Sequence, residues 1–276
     1  MPLTATGQLV DRARAANTAI AAFNVITLEH AEGIVAGAEQ AGRGVILQIS
    51  ENAVRFHHGR LAPIAAAVTA VAELAAVPVA VHLDHVQSRD LLHAAEGTGI
   101  SSAMFDASRL DYTANVSATV EAVGWAHARG LWLEAELGEV GGKDGAHAPG
   151  VRTDPAEAAE FVAATGVDAL AVAVGSSHAM TDRTAALDFA LIGRLRETLP
   201  VPLVLHGSSG VPDDDLVRAV RAGIVKINVG TILNVAFTEA VRAELAAAPV
   251  LDPRKYLAPA RDAIARTVAH LVSTIS

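Results

Sequence analysis

Short apolar runs rich in β-branched residues alternate along the chain with longer Ala- and Leu-bearing stretches of helical period. The runs predict strands at Ala19–Val25, Gly44–Ser50, Pro78–Asp84, Ser101–Asp106, Leu131–Leu137, Asp168–Val174, Pro202–His206 and Ile224–Asn228. The intervening pattern predicts helices, among them Glu29–Gln40, Ile64–Ala75, Asn115–Arg129 and Pro155–Ala164. Strands that are continuously apolar, each followed by a helix, imply a parallel sheet covered by helices. Eight such repeats favour closure over an open sheet. The expected fold is α/β, a (β/α)8 TIM barrel with an extra C-terminal helix. No linker or shift in composition marks a second domain, and 276 residues lie close to the roughly 250 typical of one such barrel. One domain over 1–276 is therefore expected.

Nearly every predicted strand finishes on a polar or ionisable residue. These are Asn24, Gln48 and Ser50, Asp84 and His85, Asp106, Glu134 and Glu136, His178 just beyond strand six, His206, and Asn228. In a barrel these ends converge on the face where active sites are built. In His-Leu-Asp-His (82–85), alternation puts His82 and Asp84 on one side and His85 on the other, until the strand ends and the chain turns. A lone strand-end histidine is as readily a hydrogen-bonded structural residue. His85, His178 and His206 beside carboxylates favour a metal instead, and three imidazoles leave an open position, as in catalytic zinc sites. His57 and His58 sit in an Arg-Phe-His-His-Gly loop and are read as solvated or mouth-lining. His30, His93, His127 and His270 fall on helical stretches and are read as structural.

Two glycine-bearing turns follow the last two strands: Gly207-Ser208-Ser209-Gly210 and Asn228-Val229-Gly230-Thr231. Small residues let backbone N–H groups approach an anion, a following helix adds its dipole, and these are the loops where barrels often bind phosphate. Lys226 shares parity with Asn228 and is read as a buried lysine paired with Glu134 or Glu136. The competing reading is a Schiff-base nucleophile, which would leave the histidines without a task.

Composition narrows the chemistry. The net charge is −9 with 21 Lys+Arg and no basic stripe, which argues against nucleic-acid binding. No apolar run approaches the roughly 18 residues of a membrane span. Met1 to Asp11 lacks the pattern of a signal peptide, so the expected compartment is the cytoplasm. Cysteine is absent and histidine numbers 11, so any metal must rest on imidazoles and carboxylates.

The chain resembles the class II, zinc-dependent fructose-bisphosphate and tagatose-bisphosphate aldolases from Ala22-Phe23-Asn24 to Asp252-Pro253-Arg254-Lys255-Tyr256-Leu257. The most specific motifs are His-Leu-Asp-His (82–85), Leu-Glu-Ala-Glu-Leu-Gly (133–138), Leu-His-Gly-Ser-Ser-Gly (205–210) and Lys-Ile-Asn-Val (226–229). The resemblance implies reversible cleavage of a phosphorylated ketose to dihydroxyacetone phosphate and an aldehyde. It implies one Zn2+ on His85, His178 and His206, with Asp106 and Glu136 as supporting or alternate metal positions. It implies Asp84 as acid/base at the C4 hydroxyl and Asp144, in the loop after strand five, as acid/base at C3. Asn24, Gln48, Ser50 and Ala179 would face substrate. Gly207, Ser208, Ser209, Asn228, Val229, Gly230 and Thr231 would hold the dihydroxyacetone-phosphate end, and Arg254 the distal phosphate. A monovalent cation (Na+ or K+) near the phosphate loop and a homodimer or homotetramer are further implications.

Three segments depart from the family pattern: Ala179 follows the second zinc histidine in place of glycine, Asp144 stands in place of glutamate after Gly141-Gly142-Lys143, and Ala107 replaces glycine in Asp106-Ala107-Ser108. The alternatives on the same barrel are a phosphosugar epimerase or isomerase, an aldolase with another aldehyde, and a non-catalytic subunit.

Overall fold

The structure is a computed structural model that describes residues 2–137 and 152–276. Eight parallel strands close into a barrel in chain order: β1 (Ile20–Asn24), β2 (Val45–Ser50), β3 (Val79–Val86), β4 (Ser102–Phe105), β5 (Trp132–Glu136), β6 (Ala169–Ala171), β7 (Leu203–Leu205) and β8 (Ile224–Val229). Closure is made by β8 on β1, with Ile20 opposite Lys226 and Ala22 opposite Asn228. The helices are α1 (Thr6–Ala15), α2 (Leu28–Ala41), α3 (Glu51–Phe56), α4 (Leu61–Leu74), α5 (Arg89–His93), α6 (Tyr112–His127), α7 (Pro155–Thr165), α8 (Phe189–Thr198), α9 (Asp213–Ala222), α10 (Thr231–Ala247) and α11 (Arg254–Thr274). Among the described residues no helix is long and apolar enough to cross a membrane.

Local chemistry explains the helix starts. Asp111 accepts from the Ala114 N–H at the head of α6, and Asp154 accepts from Ala156 and Glu157 at the head of α7, with Pro155 in the first turn. The apolar core fills the layer between sheet and helices, with Phe23, Leu47, Leu83, Leu133 and Phe161 buried in it. Helix α1, absent from the pattern of apolar runs, closes the N-terminal end of the barrel. Its Leu9, Val10 and Ala13 pack on Ile20, Ile46, Ala80 and Val225. Its Thr6 hydroxyl lies 2.5 Å from Ser102 Oγ, and Ser102 in turn lies 2.8 Å from His82 Nδ1.

β3 runs past the expected end at Asp84 to Val86, but its register against β4 shifts between Leu83 and Val86. His85 sits in that bulge with a positive φ of 50°. The extra residue breaks the alternation, which is how two consecutive side chains, Asp84 and His85, both reach the mouth. The bulge, rather than the end of the strand, is the device.

The C-terminal helix is held by close backbone approach. A Cβ on Gly33 of α2 would lie 2.7 Å from Arg261 O, and one on Gly37 would overlap Ala265 O and lie 2.7 Å from Val268 Cβ. Gly37→Ala is therefore expected to lower stability by about 1–3 kcal/mol through overpacking. Gly124→Ala, in α6 with open space around it, should be neutral or stabilising by up to about 1 kcal/mol. Equal melting temperatures for the two variants would show that the α2–α11 contact tolerates a methyl group.

Candidate active site

The strand ends bring several of the predicted polar residues into one connected network. Lys226, fully buried, donates from Nζ to Glu134 Oε2 at 2.8 Å and to Asn228 Oδ1 at 2.7 Å. The second oxygen of Glu134 lies 2.9 Å from His206 Nε2. Fixing the Asn228 oxygen on Lys226 turns its amide nitrogen towards His206 Nε2 at 3.0 Å and Asp84 Oδ1 at 3.5 Å. Across the barrel, Gln48 donates to Asn24 Oδ1 at 2.6 Å, and Asn24 donates to Asp84 Oδ2 at 3.4 Å. Asp84 is thus held between two amides from β1 and β8.

Burial alone would raise the Glu134 carboxyl, but the Lys226 ammonium overrides it and holds Glu134 well below the usual carboxylate range. Burial likewise works to lower His206. Hydrogen bonds to Glu134 and Glu136 outweigh it and push the imidazole above its ordinary value. Burial, reinforced by Lys226, takes His82 down to about 3, so it stays neutral.

His85, His178 and His206 offer ring nitrogens that all lie within 4.8 Å of one another. Their rings meet nearly edge to face, with centroids 4.8–5.6 Å apart. His85 Nδ1 is engaged by Asp106 Oδ2 at 3.0 Å, which leaves Nε2 for another partner. Asp106 is in turn fixed by Ser108, whose hydroxyl donates at 2.6 Å. With His206 Nε2 on Glu134, its Nδ1 is the remaining donor atom, and Glu136 Oε2 lies 3.3 Å from it. Carboxylates behind ligand imidazoles set the tautomer and raise basicity. The negative field that stabilises a proton at His206 also stabilises a cation. The donor set fits a divalent ion such as zinc: neutral imidazoles with an open side.

Two residues at the mouth, His85 and Ala179, hold positive φ of 50° and 60°. Such left-handed backbone costs roughly 1–2 kcal/mol for a residue bearing a Cβ. A glycine at Ala179 would hold this conformation without that cost.

The site opens into a cavity of about 650 Å³. Asn24, Gln48, Ser50, Asp84, His85, His178, Ala179, Gly207, Ser209, Asn228, Gly230 and Thr231 all line it. Gly207 is required as glycine, since its φ is +65° and a Cβ would lie 2.6 Å from Ser177 O. Three predicted residues point elsewhere. The Ser208 hydroxyl is tied to Asn228 O at 2.5 Å, Val229 packs in the core, and Arg254 lies on the surface held by Asp252 at 2.7 Å. None of the three lines this cavity. Asp144 lies outside the described residues. Ser50 also caps α3, accepting from Ala53 N–H at 3.1 Å.

Arg55 on α3 and Arg109 after β4 line the cavity and were not singled out from sequence. The signal for Arg109 is its place three residues after Asp106. Five further histidines have structural partners: His57 bonds Ile26 O, His30 stacks on Phe237, His93 on Trp125, and His127 and His270 pair with Asp168 and Asp213.

Barrel and imidazole cluster together define the class, a (β/α)8-barrel enzyme with a metal-competent mouth. The family described as fructose-bisphosphate aldolase class-II matches residues 4–276. The chain is 41% identical over 272 residues to the fructose-bisphosphate aldolase of Geobacillus stearothermophilus, covering 97% of this chain and 95% of that one. It superposes on the crystal structure of the YdjI aldolase from Escherichia coli K12 with a TM-score of 0.85 at 33% identity, covering 99% of this chain and 97% of the other. The chain belongs to the class II fructose-bisphosphate aldolase family, and it is an aldolase, a carbon–carbon lyase.

Lys226→Met should cost about 3–5 kcal/mol, because Glu134 would remain buried without its counter-charge. Adding Glu134→Gln should recover part of that loss in denaturant unfolding. If the double variant is no more stable than the single one, the pair is not the source of the cost.

Proposed function

We propose that the protein catalyses reversible cleavage of a phosphorylated ketose, fructose 1,6-bisphosphate or tagatose 1,6-bisphosphate, to dihydroxyacetone phosphate and glyceraldehyde 3-phosphate. The observation that carries this reading is Asp84, held by two amides, lining one cavity with His85 and His178, whose ring nitrogens lie within 4.8 Å of each other and of His206. His85, His178 and His206 would hold Zn2+, with Asp106 and Glu136 supporting them. The ion, when bound, supplies Lewis-acid polarisation of the ketose carbonyl.

Asp84 takes the proton of the C4 hydroxyl as the C3–C4 bond breaks, and returns it in condensation. Asn24 and Asn228 keep its two oxygens aimed. Asp144 delivers the proton to C3 and removes it in the reverse direction. The turns at Gly207–Ser209 and Asn228–Thr231 take the phosphate of the dihydroxyacetone end, with the N-terminus of α10 adding its dipole. Gln48 orients Asn24. Arg55 and Arg109 serve the distal charged end of the ketose, which a guanidinium fork suits. Arg254, exposed and outside this cavity, would meet substrate only across a contact between copies, in keeping with a homodimer or homotetramer. A monovalent cation near the phosphate loop, a single domain over 1–276 and a cytoplasmic setting complete the proposal.

Incubation of zinc-loaded protein with dihydroxyacetone phosphate and a panel of aldehydes should yield new ketose phosphates, whose stereochemistry identifies the substrate. A strong chelator should abolish this activity and Zn2+ restore it. Full turnover in metal-free protein would sink the zinc reading and revive Lys226 as a Schiff-base nucleophile. Recovery of a single epimerised or isomerised product would favour the epimerase alternative.

Asp84→Ala should lower turnover by a factor of about 100 to 10,000 while zinc content is retained. Wild-type turnover in that variant would make Asp84 a structural residue.

A further inference from the structure

The end of the barrel opposite the mouth carries a second cavity, of about 470 Å³. Three chain segments enclose it: the turn after α1 with Asn17 and Thr18, the α8–β7 connection from Leu199 to Pro202, and the α9–β8 turn at Gly223. Arg14, Arg196 and Arg221 line it, and no Asp or Glu does. The chain as a whole carries 30 Asp+Glu against 21 Lys+Arg, so three guanidiniums around one carboxylate-free cavity reverse the local sign of the field.

Capping of helix ends accounts for part of this arrangement. Arg14 Nη1 donates to Pro200 O at 3.1 Å, and Arg196 Nη1 donates to Arg221 O at 3.5 Å, where α8 and α9 finish. Each guanidinium has five N–H donors, so most remain for another acceptor. A helix C-terminus contributes only about half an elementary charge of negative sign, less than the full charge of the arginine beside it. Among the described residues none of the three arginines is ion-paired with a carboxylate.

The Arg196 stem is seated on a glycine. Gly223 has φ +135°, and a Cβ there would lie 2.6 Å from Arg196 Cδ and 2.8 Å from its Cβ. Much of the remaining lining is apolar, with Leu199, Pro202, Leu203 and Ile224 among it.

We propose that this cavity binds a phosphate-bearing small molecule of nucleotide size, its phosphates on the three guanidiniums and its less polar part on the apolar lining. Planar guanidinium forks match phosphate oxygens two at a time, and the volume lies within the range of about 300–1,000 Å³ usual for metabolite sites. The site is separate from the mouth and goes beyond the aldolase reading.

The test is calorimetric titration of ADP into the metal-loaded protein at low salt, with the mouth saturated by dihydroxyacetone phosphate. One ADP per chain is expected, displaced by pyrophosphate, with adenosine failing to bind. Arg221→Glu should weaken ADP by about tenfold or more, whereas Arg12→Glu, on α1 but outside the cavity, should bind as wild type. Arg221→Gln, which removes charge without reversing it, should show a smaller loss in the same direction and serves where Arg221→Glu does not fold. Retro-aldol turnover of Arg221→Gln should match wild type, so failure here leaves the aldolase reading intact. Absence of ADP binding, loss of binding when dihydroxyacetone phosphate is present, or equal affinity in the Arg221 and Arg12 variants would each overturn the proposal.

Discussion

The ammonium of Lys226, enclosed by the barrel wall, needs a counter-charge, and Glu134 supplies it from the opposite side. Neither group could stay ionised there alone, since an isolated buried charge is far more costly than a paired one. Once the pair forms, its spare hydrogen-bonding capacity sets the rest of the mouth. One Glu134 oxygen turns His206, and the Lys226 hydrogens turn Asn228. Asn228 then helps hold Asp84. The orientation of an imidazole and of a carboxylate at the site follows from one ion pair deeper in the barrel, which His206 contacts directly and Asp84 reaches only through Asn228.

Backbone irregularity does the complementary work. Regular β-structure cannot send Asp84 and His85 to the same place, and the bulge in β3 relaxes that constraint at one residue. Of the four described residues other than glycine with positive φ, two, His85 and Ala179, line the mouth, where strain of this kind can serve function. Packing elsewhere must supply the difference, and the glycine-mediated contact of α2 with α11 is one place where close approach is achieved.

The barrel was legible from the sequence because parallel strands buried on both faces leave uninterrupted apolar runs that cannot be mistaken for half-exposed ones. Parity of Lys226 with Asn228 along β8 turns the lysine inward and leaves Glu134 and Glu136 as partners; the structure pairs it with Glu134. Helix α1 escaped because its few apolar positions, Leu9, Val10 and Ala13, make too short a stripe to stand out. Ser208 and Val229 were grouped with the phosphate turns by motif, whereas motif does not say whether a residue acts through its side chain or its backbone. Arg254 illustrates a different limit: a sequence match gives identity and not the cavity a side chain reaches. Arg55 and Arg109 lie on a six-residue helix and a strand-following turn, elements whose direction is set by tertiary packing rather than by periodicity.

Closure of β8 onto β1 has a consequence for how the molecule comes into being. Asn228 reaches Asp84 across 144 residues of chain, and Lys226 reaches Glu134 across 92. Contacts of that span form late, after the intervening loop entropy has been overcome. During synthesis, every chain shorter than β8 carries Glu134 without its counter-ion, and leaves β1 and β7 as open edges. Such intermediates expose unpaired strand to neighbouring chains. The last strand of the barrel therefore both removes its open edges and completes the alignment of Asp84 and Glu134, so that one segment of chain guards against aggregation and orders the mouth.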